Sequence, residues 1–158
     1  MQNAGIIGLL FSYQGRINRG KYWLAAAIYF GLMILVMAVA FISFGNSLLA
    51  IGDEGADDSM ITGLISKGIG FILLLLIIYI PMVISGVFVG IKRLHDRDKS
   101  GWWILVFYLL PSVLGGLSDT SFIFSLASFA VAIWGLVELG LLRGTVGPNQ
   151  YGPDPLAT

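Results

Sequence analysis

Ile69-Gly70-Phe71-Ile72-Leu73-Leu74-Leu75-Leu76-Ile77-Ile78-Tyr79-Ile80-Pro81-Met82-Val83-Ile84-Ser85-Gly86-Val87-Phe88-Val89-Gly90-Ile91 runs for 23 residues without a charge. At about 1.5 Å per residue this stretch crosses ~30 Å of hydrocarbon as a helix. Lipid cannot satisfy free backbone groups, and the run is too long and too continuously apolar for a barrel strand. Three further apolar segments flank it: Tyr22–Phe44, Trp102–Leu117 and Ser121–Leu142. Trp102–Leu117, with 16 residues, is the short one and must borrow neighbours or thin the bilayer. The expected fold is an all-α integral membrane protein, a four-transmembrane-helix bundle forming one membrane domain over residues 1–158. Pro81 and Pro111 are expected to kink their helices.

Composition agrees: 57% of the 158 residues are hydrophobic and only 11% charged, where a soluble domain carries about a quarter charged. The absence of cysteine excludes disulfides and thiol chemistry. Nine basic and nine acidic residues cancel, so net charge points to no nucleic-acid partner.

Charge placement predicts topology. Eight of nine basic residues lie before the first segment (Arg16, Arg19, Lys21), between the second and third (Lys92, Arg93, Arg97, Lys99), or after the fourth (Arg143). The positive-inside rule makes these regions cytoplasmic, both termini included. Gly45–Gly68, with the acidic patch Asp53-Glu54-Gly55-Ala56-Asp57-Asp58, becomes a long outer loop. The patch lacks the alternating ligands of a calcium loop, and no metal is expected. Met60, Ile61, Leu64 and Ile65 recur there at helical spacing, as for a segment on the membrane surface. Ile6, Ile7, Leu9, Leu10 and Phe11 predict a short interfacial N-terminal helix, with Gly15 as the turn after it. The tail 143–158 is rich in turn formers.

Lys92–Trp103 is the densest polar stretch. Spacing lets Arg93 reach Asp96 and Asp96 reach Lys99, Asp98 or Ser100 can cap the third helix, and Trp102 and Trp103 suit the headgroup layer. His95 with Asp96 and Asp98 supplies ligand types for acid–base or metal chemistry, but at no zinc spacing and without a nucleophile. No catalytic motif is present and no cofactor is expected. Glu138 is the one charge inside an apolar segment, an ionisable group that by default suggests function. Arg143 or a loop cation is its expected partner. Ser121, Ser125, Ser128, Ala132 and Gly135 form a small-residue seam on the same helix, and Gly86–Gly90 is a G-x-x-x-G.

Three stretches stand in order: Phe11-Ser12-Tyr13-Gln14-Gly15-Arg16-Ile17-Asn18-Arg19 before Tyr22-Trp23, Arg93-Leu94-His95-Asp96 with Lys99-Ser100-Gly101-Trp102-Trp103, and Gly144-Thr145-Val146-Gly147-Pro148-Asn149-Gln150-Tyr151-Gly152-Pro153-Asp154-Pro155. Together they resemble the domain-of-unknown-function (DUF) 805 family of small bacterial inner-membrane proteins. The resemblance covers nearly the whole chain and implies several spans in a bacterial cytoplasmic membrane, but no reaction. The family pattern often has Gly between the aspartate and the lysine. Here Arg97-Asp98 stands instead, which argues against a strict backbone requirement in that loop.

All three stretches fall on the expected cytoplasmic face. Arg16, Arg19, Arg93, His95, Asp96, Lys99, Asn149 and Tyr151 are therefore expected to converge, arginine forks finding acceptors in Asp96, Asn149 and tail carbonyls. The expected role is non-enzymatic contact with anionic lipid headgroups, or with a membrane-protein partner or second copy. The alternative is a small transporter or channel subunit using Glu138.

Overall fold

A computed structural model describes residues 5–54 and 57–157. Among the described residues the regular structure is helical apart from one isolated bridge in the tail. In order come α1 (Ile6–Phe11), α2 (Arg19–Glu54), α3 (Asp58–Asp96), a π-helical turn Leu105–Leu109 leading into α4 (Leu110–Gly116), and α5 (Phe122–Leu136), which ends in a second π-helical turn, Val137–Leu141. Among the described residues three stretches are long and apolar enough to cross a membrane: Arg19–Gly45, Asp58–Asp96 and Phe122–Leu141. Leu105–Gly116 is apolar but shorter. The chain divides into two compact units, Met1–Ala26 with Ile84–Thr158, and Ala27–Val83.

The second unit overturns the expected long loop. α2 continues to Glu54 and α3 begins at Asp58, so most of Gly45–Gly68 is helical. The reason is a cap: Asp57 Oδ1 accepts from the Met60 amide (2.7 Å) and the Ser59 hydroxyl (2.8 Å), starting α3 at the end of the acidic patch. These hydrogen bonds hold the Asp57 carboxyl below the usual carboxylate range. Met60, Ile61, Leu64 and Ile65 belong to α3 rather than to a separate surface segment. Gly55 and Ala56 of the patch lie outside the described residues. The two helices meet through the rings of Phe44 and Phe71, 5.7 Å apart edge to face, and through Lys67, which donates to Ser47 at 2.6 Å.

α3 passes through Pro81 without interruption. Pro111 sits in the first turn of α4, just after the π turn, where a missing donor costs little. In the first unit α4 packs on α5 along the small-residue seam. Ser128 donates to the Pro111 carbonyl at 2.8 Å, and a Cβ on Gly135 would lie 3.2 Å from Phe107. Phe107 and Trp103 both meet Trp134 edge to face, at 5.1 and 5.6 Å. Leu94, Ile104, Phe107 and Leu139 form the buried core. In the G-x-x-x-G, Gly90 lies against Ile104, and Gly86 has open space.

The N-terminal helix is present as α1, with Gly15 at φ +83° in the turn beyond it. Lys92 donates to the Gly8 and Leu9 carbonyls and Ser85 to that of Leu10, so side chains of α3 satisfy the C-terminal end of α1.

Candidate functional site

The polar centre of the first unit is assembled on the C-terminal end of α3. The Arg16 side chain is almost wholly buried, and its fork has an acceptor in every direction. Nε and Nη2 bond Asp96 Oδ1 at 3.2 and 3.1 Å, Nη2 also bonds the Thr145 carbonyl at 2.7 Å, and Nη1 bonds the Gly147 and Gly152 carbonyls at 2.8 and 3.2 Å. Five bonds account for the donor capacity of a guanidinium. Arg93, fully buried one turn before Asp96, donates to Asp96 Oδ2, to the Leu139 carbonyl (2.7 Å), to the Leu142 carbonyl and to that of Ile17 (3.5 Å). Asp96 thus lies between two buried cations, each of which also ties down carbonyls from a distant part of the chain.

The tail is ordered against this centre. A helix leaves its last carbonyls without partners, and the tail supplies them. The Thr145 amide and hydroxyl bond the Asp96 carbonyl at 2.8 and 3.2 Å, and the Asn149 side-chain amide donates to the His95 carbonyl at 2.8 Å. Asn149 and Gly152 exchange backbone bonds, closing a turn in which Gly152 takes φ +135°. Asp154 accepts from the Gly147 and Leu156 amides, which hold its carboxyl below the usual range. The Tyr151 ring stacks on His95 with centroids 3.9 Å apart and planes 4° from parallel. His95 Nδ1 lies 3.3 Å from the Gly15 carbonyl, the geometry of a donated N–H.

A second cluster surrounds Glu138. It is 4% exposed and pairs with Arg97 (3.0 Å) and Lys99 (2.9 Å), not with Arg143, whose carbonyl accepts from Arg97. Lys99 also lies over the Trp103 ring. The π turn around Glu138 presents carbonyls sideways: that of Leu139 takes Arg93, and that of Gly140 takes the Trp23 indole N–H at 3.0 Å.

Of the residues singled out from sequence, Arg16, Arg93, His95, Asp96, Asn149 and Tyr151 come together. Lys99 joins Glu138 instead of Asp96, and Arg19 is exposed, lining a cleft of about 240 Å³ with Arg143. Among the described residues no three His, Asp or Glu side chains converge as a metal ligand set. Lys92 and Ser85 carry no motif beyond a charge and a hydroxyl, so their hold on α1 is not legible in sequence.

The turn after α3 does require special backbone geometry, contrary to the reading of Arg97-Asp98. Lys99 N–H returns to the Leu94 carbonyl and Asp98 N–H to that of His95, with Asp98 at φ +56°, the left-handed position glycine favours. Asp tolerates it better than most residues, and here it also accepts from Gln150 at 3.3 Å. Asp98→Gly is expected to leave the fold intact and raise stability by up to about 1 kcal/mol, measured as a higher denaturation midpoint in detergent. A lower midpoint would mean that the Gln150 contact outweighs the backbone relief.

Three long apolar helices and a short one, together with buried ion pairs and a latched tail, define a multi-span membrane protein with a pre-formed polar centre. The chain belongs to the DUF805 family, described as a protein of unknown function, which matches residues 10–153. It is 27% identical over 151 residues to the uncharacterized protein YiiR of Escherichia coli strain K12, covering 92% of this chain and 86% of that one. It is 34% identical over 67 residues to the inner membrane protein YhaH of the same strain, covering 42% of this chain and 40% of YhaH. No solved structure matches.

Proposed function

We propose that this is a four-span protein of the bacterial inner membrane, non-catalytic, whose polar end faces the cytoplasm and serves as a rigid contact surface for anionic lipid headgroups. The carrying observation is the division of labour among its cations. Arg16, Arg93, Arg97 and Lys99 are committed to Asp96, Glu138 and carbonyls, while Arg19, Lys21 and Arg143 stay exposed around them. Exposed basic residues beside a span each contribute about 1 kcal/mol toward an anionic leaflet. Leu105–Gly116 serves as the fourth crossing, and an even number of crossings puts all three basic regions on one side. Similarity to YhaH, an inner membrane protein, supports the location. The ion pairs of Glu138 favour a structural role over a lone carboxylate in a transport path.

Two measurements test this. In the cysteine-free chain, Ser47→Cys is expected to react with an impermeant maleimide in intact cells and Ser100→Cys only after lysis; the reverse pattern overturns the topology. In vesicles, phosphatidylglycerol is expected to raise the unfolding midpoint relative to phosphatidylcholine alone, and equal midpoints overturn the lipid contact.

A further inference from the structure

Beside α1 lies a second cleft, of about 440 Å³, that the ion-pair network does not use. Its walls include Ile6, Leu9, Ile17 and Leu24, and its cations include Lys21 and Lys92, with no carboxylate among the lining residues. Lys92 is 3% exposed and held by the Gly8 and Leu9 carbonyls, two acceptors for an ammonium that carries three protons. Arg16 also reaches the cleft, but its donors are committed to Asp96 and the tail. Lys21 is exposed, and its ammonium has no ion pair among the described residues. The two lysine charges repel each other. An anion between them turns that repulsion into attraction on both sides.

The walls say what kind of anion. Ile6 and Leu24 are 62% and 51% exposed at the cleft, apolar surface that a soluble phosphate has no use for. Lys21 immediately precedes the apolar part of α2, at headgroup depth for a chain that crosses there. We infer that this cleft holds one anionic phospholipid, its phosphate between Lys21 and Lys92 and the start of its acyl region along Ile6, Leu9 and Leu24. A volume of about 440 Å³ lies within the range of small-molecule sites. The inference rests on the proposed lipid contact and deepens it by giving it a single stoichiometric site.

The test is native mass spectrometry of the full chain released from nanodiscs that contain equal phosphatidylglycerol and phosphatidylcholine. One retained phosphatidylglycerol is expected for the parent chain and for Lys67→Gln, a cation that does not line the cleft. Lys21→Gln is expected to lower occupancy about fivefold and Lys21→Arg to restore it. Lys21 is exposed, so these variants leave the α1 contacts of Lys92 in place. Equal retention by Lys21→Gln overturns the cleft, and if phosphatidylglycerol still stabilises the protein in vesicles, the broader lipid contact stands without it. Equal retention of phosphatidylcholine overturns the requirement for net negative charge. Displacement by glycerol 3-phosphate at matched concentration overturns the lipid in favour of a soluble phosphate.

Discussion

Asp96→Ala is expected to lower stability by about 3–5 kcal/mol, the loss typical when one partner of a buried ion pair is removed and the other charge stays behind. Here two charges stay behind. The Arg16 and Arg93 side chains are both buried, and both face the Asp96 carboxylate. Their bonds to carbonyls of the tail and the second π turn depend on guanidinium positions that the carboxylate sets. Asp96→Asn is expected to rescue little, because an amide offers its own donors to a site built for an acceptor. Steric-trap unfolding in bicelles measures the loss. A change below about 1 kcal/mol, the scale of an exposed pair, would mean that water reaches Arg16 and Arg93.

Gly144→Ala carries the second large effect, by sterics rather than charge. A Cβ at Gly144 would lie 2.0 Å from Asp96 Oδ2 and 2.5 Å from its Cγ, closer than van der Waals contact allows. Asp96 cannot swing aside without releasing Arg16 and Arg93, so the tail must leave. The expected result is a tail cleaved by protease in the folded protein and a stability loss of about 3 kcal/mol, the upper end of overpacking costs. Gly116→Ala is the matched control: it has open space around it and is expected to be neutral or slightly stabilising. A protected tail in Gly144→Ala would refute the latch.

Much of this architecture is legible in the residues, for physical reasons that differ from element to element. Long apolar runs announce membrane helices because lipid imposes one solution. The meeting of Arg16, Asp96 and the tail stems from arginine forks and turn-forming carbonyls placed on one face. Local backbone choices are less legible. The acidic patch reads as loop, yet the Asp57 side chain caps α3, and Met60, Ile61, Leu64 and Ile65 become part of that long helix. Asp98 reads as a cap for the third helix or a ligand beside His95, yet it fills a left-handed turn. Because α3 ends at Asp96, Lys99 lies past that turn and meets Glu138 rather than Asp96. The two π turns leave no residue pattern at all, and the second aims the carbonyls that Arg93 and Trp23 use.

The latch also imposes an order in time. Arg16 is separated from its acceptors at Thr145, Gly147 and Gly152 by 129 to 136 residues. At a synthesis rate of roughly 5–20 residues per second, it leaves the ribosome on the order of ten seconds before they exist. The other helices are made within that interval, while Nη1 of Arg16 stays without its tail acceptors. Closure of the polar end therefore cannot precede synthesis of the tail, and a nascent chain that stops short of residues 147–152 leaves Nη1 of Arg16 without its acceptors.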